Sequence, residues 1–364
     1  MNVAIVHEFF CNLGGSDKVA AVLHQLFPRA PVYTMLVSNR NRGAELLQGM
    51  DLRPSFIHLL PMARRWHEPY LPFFPLAVES FDLTGYDLVL SSSHLCAKGV
   101  IPAPEALHLC YCHTPARYLW DLYYLYSQRL KPLFRPFTAI VMHRLRIWDV
   151  STSARVDHFI ANSRFVARRI ERYYKRSAEV IYPPVETDFF TPGESQEDYY
   201  LVVSRLTAYK RIDLAITAFN RLGSPLLVIG DGPERRRLRA QAGPNIHFLG
   251  ALPRDEVRDY MQECRALIFP GKEDFGITPL EVQATGRPVV AYGAGGALES
   301  VVDGATGVFF EAQTPEHLSE AVTRLSSTTF DRDVIRDHAL QFDRAVFCHK
   351  MLEFVEEKWT QHNP

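Results

Sequence analysis

No apolar run in this chain approaches the roughly 18 residues needed to span a bilayer as a helix. A membrane-spanning class is therefore set aside. The formal net charge is −1, which leaves no global attraction for nucleic acid. Cysteine is sparse: Cys11, Cys96, Cys110, Cys112, Cys264 and Cys348 are the only six in 364 residues. That is too few for a disulfide framework and suits a reducing cytosol. The opening MNVAIVHEFF has no basic n-region and reads as a first strand, not a signal peptide. Low-complexity tracts and short internal repeats are missing. So is an Asp-x-Asp metal site at any strand end. With 47% hydrophobic and 22% charged residues, the chain can bury real cores, and its length suits two ordinary domains.

Apolar strands alternating with helical patterns run through the whole sequence, the signature of parallel α/β sheets covered on both faces. The first half has strands at 3–6, 32–34, 88–90, 107–111 and 159–161; the second at 200–203, 225–229, 246–249, 266–269 and 288–291. Between them, residues 183–198 hold Pro183-Pro184, Pro192-Gly193 and several acids, and look like a linker. A last helix, 342–359, carries Phe347, Met351, Phe354 and Val355 on one side and is long enough to return to the first domain. The expected fold class is thus α/β with two Rossmann-like doubly wound domains. The first takes residues 1–190 plus about 342–364, the second residues 191–341.

Ligands of open α/β sheets bind beyond the carboxyl ends of the strands, and here those ends are polar. The first strand ends in His7-Glu8 and leads to Gly14-Gly15-Ser16-Asp17 before a helix at 18–26. Such a glycine pair lets a diphosphate approach free N–H groups. It is not Gly-x-Gly-x-x-Gly, and it reads equally as an ordinary turn. Further ends are Ser91-Ser92-Ser93-His94, then Cys112-His113-Thr114-Pro115 with Arg117, then Asn162-Ser163-Arg164, where Ser163 is a helix cap. Cys110, Cys112 and His113 match no common zinc spacing.

In the second half Arg205 and Lys210 follow a strand, placing two cations where a phosphate-bearing ligand would lie; the alternative is a solvated basic loop. Gly230-Asp231-Gly232 and Gly293-Ala294-Gly295-Gly296 follow later strands, the latter forming a backbone nest before a helix at 297–302. The loop EDFGITPLE, from Glu273 to Glu281, is the most telling. Glu273 on the loop and Glu281 in the first turn of the next helix can converge on a polyhydroxylated ligand. The plainer reading is a solvated loop and a carboxylate favoured by the helix dipole.

Together these residues resemble the retaining family 4 glycosyltransferases of the GT-B fold over nearly the whole chain. SRLTAYKR, VIGDGPE, FLG, the Glu273/Glu281 motif, GRPVVAYGAGGALE and VVDGATGVFF occur in the family's order. The first half, with YDLVLSSSHLCAKGV, CYCHTPARYLWD and HFIANSRFVARRI, is similar to bacterial mannosyltransferases of O-antigen and exopolysaccharide synthesis. The resemblance implies two domains facing across a cleft and a nucleotide-sugar donor, GDP-mannose by subgroup, with no metal or other cofactor. Arg205 and Lys210 would hold the diphosphate. Glu281 would bind the ribose, and Glu273 the donor sugar, near backbone N–H groups of Phe275, Gly276 and Ile277. Gly14, Gly15 and Gly230 would lie at the donor, and His113 near the reacting centre. His7, Asp17, His94 and Arg117 would fall on the acceptor side. Relatives often read Gly-Gly-x-Glu where this chain has Asp17, whose reach is shorter.

The implied chemistry is front-face transfer, with the departing phosphate taking the acceptor's proton, the leaving charge met by Arg205, Lys210 and helix N-termini, and a cleft that closes on a hinge at residues 183–198. Residues 127–146 carry Arg129, Lys131, Arg135, Arg144 and Arg146 without an acid, interleaved with Phe134, Phe137, Ile140, Val141, Met142 and Leu145. This segment reads either as a peripheral contact with anionic lipid and a lipid-linked oligosaccharide acceptor, or as a packed helix pair with a solvated basic face. Residues 69–75 pose the same choice. A cytoplasmic protein, peripheral on the inner face of the membrane, follows from the first reading. Two other readings stand beside it: a UDP-sugar-dependent transferase of the same fold, and a non-catalytic nucleotide-sugar-binding partner subunit.

Overall fold

The computed structural model describes residues 1–363 apart from Asn12, Arg40, Arg42, residues 129–132, Phe134 and the side chain of Tyr126. Arg129, Lys131 and Phe134 of the basic segment therefore lie outside the described residues. The chain divides into two compact units: Met1–Tyr182 with Cys348–Pro364, and Pro183–Phe347.

The first unit is built on seven parallel strands: β1 (Val3–Phe10), β2 (Val32–Val37), β3 (Leu52–Pro54), β4 (Leu88–Ser93), β5 (Leu107–Cys112), β6 (His158–Ala161) and β7 (Ala178–Val180). Their order is β3-β2-β1-β4-β5-β6-β7. The second unit has β8 (Tyr200–Val203), β9 (Leu226–Ile229), β10 (Ile246–Gly250), β11 (Ala266–Phe269), β12 (Val289–Tyr292) and β13 (Gly307–Phe310), in the order β10-β9-β8-β11-β12-β13. Both orders are doubly wound. In each sheet the chain reverses direction across the first strand, between β1 and β4 and between β8 and β11. That reversal opens a crevice at the strands' carboxyl ends, the place where such sheets receive ligands. Near-continuous apolar strands form because helices cover both sheet faces. Ala4, Ile5, Val6, Leu88, Val89, Leu107 and Leu109 are all fully buried in the first unit, as are Leu201, Val228, Val289 and Val290 in the second.

Several elements depart from the pattern expected from hydrophobicity. β1 continues through His7 and Glu8 to Phe10, and β4 through three serines to Ser93, so these polar residues lie inside strands and not past their ends. In-strand polar groups are tolerated because they pair with one another: His7 is the register partner of Thr34 on β2 and of Ser92 on β4. The edge strands β3 and β7, three residues each, are too short to leave a periodic signal, and the strand β13 hides within VVDGATGVFF. Residues 183–198 pack on the second unit. Val185 N–H donates to Phe342 O at 3.0 Å, the Thr187 hydroxyl to Asp343 Oδ2 at 2.5 Å, and Arg287 to Gln196 Oε1 at 2.7 Å, while Phe190 is buried. The last helix, Arg344–His362, begins in the second unit and from Cys348 belongs to the first. There Met351, Phe354 and Val355 are buried, Phe354 lies 6.3 Å ring to ring from His158, and His362 Nε2 is 3.1 Å from Glu105 O.

Candidate active site

In the second unit the loop after β8 makes one short 3-10 turn, Ala208–Lys210, and Arg211 takes a left-handed conformation before the helix Ile212–Leu222. This brings the Lys210 ammonium onto the Glu273 carboxylate, an ion pair with both side chains mostly withdrawn from water. Arg205, five residues earlier, is exposed, and its guanidinium has no partner among the described residues. The two cations read from the sequence thus differ: one is already paired, the other is open. The same loop hides a hydroxyl that sequence reading missed. Thr207 Oγ1 is buried with no hydrogen-bond partner among the described residues. Gly230, at the end of β9, has φ +129°, and a Cβ there would lie 1.9 Å from Ser204 O. Only glycine lets these two strand-end loops touch.

The EDFG loop leaves β11 at the crevice. Phe275 is buried against Phe342 at 5.9 Å between rings, and Gly276 (φ +87°) turns the chain into the helix Ile277–Ala284. That helix starts earlier than expected, at Ile277, so Glu281 stands in its second turn and not its first. Glu281 is buried to 9% exposure, as is Glu273. The glycines at 293–296 also do something other than form a free phosphate nest. Gly295 pairs with Glu273 as an isolated parallel bridge, and Gly296 N–H donates to Glu273 O at 2.9 Å. The helix that follows is a single turn, Ala297–Ser300, because the segment is bound to the EDFG loop. Its glycines are a brace for Glu273.

In the first unit the equivalent crevice is lined by histidines. His113 N–H donates to Ser93 O at 2.8 Å, and its Nε2 lies 2.9 Å from Ser92 Oγ. Burial, with the charges of His94 and His7 adding to it, pulls the His113 imidazole down to about 3, so it is neutral. His7 is fully buried; its Nδ1 lies 3.0 Å from Ser92 Oγ and its Nε2 3.3 Å from Asp17 Oδ1. Asp17 in turn accepts the Gly14 N–H at 2.6 Å, satisfying a backbone donor at the start of the helix Gly15–Leu26. The shorter acid therefore serves its own helix start and His7, while Gly14 and Gly15 themselves are exposed.

Glu8 was not singled out by its sequence, yet it is the most heavily bonded carboxylate of the crevice. Its Oε1 accepts Ser93 Oγ and the backbone N–H groups of His94, Leu95, Cys96 and Ala97 at 2.9–3.1 Å. Its Oε2 lies 3.2 Å from His94 Nδ1. Burial by itself would raise the Glu8 carboxyl, but His94, His7 and the backbone donors hold it well below the usual carboxylate range. Burial likewise works against charge on His94, and Glu8 overcomes it and raises the imidazole. Arg169, on the helix Arg164–Tyr174, is a second contributor that its sequence does not announce. It binds Thr114 Oγ1, Pro115 O and Asp121, and so pins the segment after His113 that also carries Arg117, whose Nε is 3.8 Å from Asp121. Beneath lies a buried ion pair, Lys98 Nζ to Asp149 Oδ1 at 2.8 Å, with Trp120 Nε1 and the Tyr174 hydroxyl donating to the same carboxylate. Cys110 and Cys112 are buried in the core around β5. Among the described residues no His, Cys, Asp and Glu cluster is arranged to hold a metal ion.

Two doubly wound units with charged crevices define a GT-B-type protein, and the comparisons agree. Residues 13–189 match the Glycosyltransferase Family 4 model and residues 185–341 the Glycosyl transferases group 1 model. The chain belongs to the GT-B glycosyltransferases, with a family 4 domain followed by a group 1 domain. It is 28% identical over 210 residues to an uncharacterized glycosyltransferase of Methanocaldococcus jannaschii, covering 56% of this chain and 60% of that protein. It is 27% identical over 251 residues to an alpha-1,3/1,6-mannosyltransferase of Dictyostelium discoideum, covering 55% and 57%. The chain thus spans somewhat over half the length of these relatives. Among solved structures, Anabaena HepE in complex with UDP has TM-score 0.73 and 17% identity over 98% of this chain and 100% of that one. Sucrose-phosphate synthase of Thermosynechococcus elongatus has TM-score 0.75 and 16% identity over 99% and 100%.

Proposed function

We propose that this protein transfers a sugar from a nucleotide-sugar donor to a lipid-linked glycan, with retention of configuration, and that the donor is GDP-mannose. The observation that carries the transferase reading is the Lys210–Glu273 pair at the crevice of the second sheet, with the exposed Arg205 on the same loop. A diphosphate arriving there takes Lys210 and Arg205 as counter-charges and frees Glu273 to accept hydroxyls of the sugar. Glu281 binds the ribose, and the backbone of Phe275, Gly276 and Ile277 lies alongside the sugar. Charge-assisted hydrogen bonds of this kind contribute about 1.5–3 kcal/mol each. The leaving phosphate accepts the acceptor's proton, and no metal ion is required. His113, neutral and buried, meets a hydroxyl at the reacting centre.

The mannosyl assignment rests on the likeness of the first half to bacterial polysaccharide mannosyltransferases and agrees with the Dictyostelium relative. A UDP-sugar donor is the second reading, favoured by a fold shared with a protein crystallised with UDP. For the acceptor, the helix Arg135–Ser151 leaves Phe137, Ile140 and Ile147 exposed beside exposed Arg135 and Arg144, while Leu145 and Asp149 face the core. Such a surface suits anionic lipid on the cytoplasmic face of a membrane. Among the described residues no helix is long and apolar enough to cross it.

The test is a thermal-shift screen against GDP, GDP-mannose, UDP, UDP-glucose and UDP-N-acetylglucosamine, with and without EDTA. A shift given by the guanosine ligands alone and indifferent to EDTA is expected. A uridine-specific shift overturns the mannosyl assignment, and no shift at all favours a decayed or partner-dependent subunit. In the assay that follows, Glu281→Ala weakens nucleotide binding while His113→Ala spares binding and lowers turnover; wild-type turnover in both variants overturns the site.

A further inference from the structure

Four buried side chains of the first unit stand in one hydrogen-bonded file. Asp17 Oδ1 lies 3.3 Å from His7 Nε2, His7 Nδ1 lies 3.0 Å from Ser92 Oγ, and Ser92 Oγ lies 2.9 Å from His113 Nε2. The charged and titratable groups around the file are few. Glu8 adjoins His7 on β1 and is paired with His94, whose ring is 6.3 Å from those of both His7 and His113. Asp17 alone faces His7 from the helix Gly15–Leu26.

Counting protons leaves few arrangements. Ser92 has a single hydroxyl hydrogen, so it can donate to only one of its two imidazole neighbours, and the other must donate to it. The Asp17 carboxylate only accepts, so His7 presents Nε2–H to it. A neutral His7 then has a bare Nδ1, which accepts from Ser92. Ser92 Oγ accepts from His113 Nε2–H, and His113 keeps its lone pair on Nδ1, an atom with no hydrogen-bond partner among the described residues. A charged His7 reverses every bond. Its Nδ1–H donates to Ser92 Oγ, with the Ser92 carbonyl at 3.3 Å as a second acceptor, and Ser92 then donates to His113 Nε2.

We propose that Asp17, His7 and Ser92 fix the tautomer of His113 and act with it as a proton relay, in which a proton taken up at His113 Nδ1 is stored on His7. The step balances. An N–H bond forms at His113 Nδ1 as an O–H bond of a hydronium ion breaks and leaves water, the former Nε2 hydrogen passes to Ser92 Oγ, and the former Ser92 hydroxyl hydrogen passes to His7 Nδ1. His113 ends neutral as its Nδ1–H tautomer, and His7 ends as an imidazolium against the Asp17 carboxylate. This division suits the two rings: burial makes His113 a poor seat for charge, whereas His7 has a counter-ion in contact. Ser92, His7 and Asp17 are positioning residues acting through His113. Which hydroxyl meets His113 rests on the glycosyl-transfer reading; the relay does not.

The test follows the imidazole nitrogens of the full chain by long-range proton–nitrogen spectra with isotope-labelled histidine, over alkaline to mildly acidic pH. His113 signals are assigned by their loss in His113→Asn. At alkaline pH His113 is expected as the Nε2–H tautomer. As His7 titrates, His113 changes to Nδ1–H at the same midpoint without becoming charged. Ser92→Ala uncouples the two rings and Ser92→Thr restores the coupling. His113 found as Nδ1–H at alkaline pH, charging in its own right, or still following His7 in Ser92→Ala overturns the proposal. In the transfer assay Ser92→Ala lowers kcat about tenfold, the worth of the one hydrogen bond that a fixed His113 Nδ1 lone pair gives to the hydroxyl it meets, with donor KM unchanged. Coupled rings without any turnover would overturn the glycosyl-transfer reading and leave the relay standing.

Discussion

The two sheets share one order over six strands, the first adding β7 at its edge, and solve the crevice in opposite ways. In the first unit the polar groups are built into the strands themselves: His7 and Glu8 in β1, Ser92 in β4, and His113 directly after β5. They are withdrawn from water and hold each other in place. In the second unit the strands at the crevice, β8 and β11, are apolar, and the functional groups ride on loops and a helix turn, where Arg205 is exposed and Lys210 keeps some contact with solvent. The same topology can thus supply a rigid, mostly neutral wall on one sheet and an adjustable charged rim on the other. A neutral wall holds orientation at fixed geometry. A charged rim can exchange an internal ion pair for a ligand's charge.

The contrast can be broken by substitutions, taken from the largest expected effect. Lys98→Met leaves Asp149 buried without its counter-ion and should cost about 3–5 kcal/mol, read as a lowered denaturant midpoint of the first unit. An unchanged midpoint would mean that the interior of this unit tolerates a bare carboxylate. Lys210→Ala, on the adjustable rim, should lower kcat for sugar transfer about 10²-fold while moving the thermal midpoint less than Lys98→Met does. The reverse order of the two effects would end the distinction between wall and rim.

Acid should act on the first unit by a third route. His108 and His113 are held neutral by burial, at about 4 and about 3 against an ordinary 6.5. Below that ordinary value the unfolded chain binds protons that the folded chain refuses, so stability falls as pH drops, by about 1.4 kcal/mol per pH unit for each ring. Glu8, whose carboxyl is lowered, adds to the loss once pH passes below its ordinary 4.5. His94 is raised, and its contribution, present at low pH and lost as pH rises through its folded value, partly opposes the trend. Denaturation midpoints across this range should decline toward acid, and a flat profile would contradict the buried neutral rings. The smallest effect expected is that of Ser163→Ala, which removes a cap accepting from Val166 N–H at 3.0 Å and should cost about 1 kcal/mol by thermal melt.

Much of this was legible in the residues. The apolar runs at 200–203 and 266–269 coincide with β8 and β11, and the Ser163 cap is where its pattern puts it. The glycines after β12 brace the EDFG loop through the Gly296 N–H, a role that a glycine cluster before a helix does not announce beside its reading as an anion nest. Strand ends were read too early at His7 and Ser91 because alternation arguments stop at the first polar residue. A strand continues past it when a neighbouring strand offers a partner, and partners such as His7 and Ser92 are 85 residues apart. Glu8, Lys98 and Arg169 lie in quoted segments, but what they do was not legible for the same reason. Their roles come from long-range pairing, and no local spacing encodes it.

The helix Arg344–His362 completes the first unit with residues that are made only after the second unit. The first sheet emerges early and must wait, without Met351, Phe354 and Val355, until the entire second unit has been synthesised. Removing this helix would therefore wound the unit whose sheet is made before the second unit, and the nascent first unit is the one that a chaperone would have to shelter.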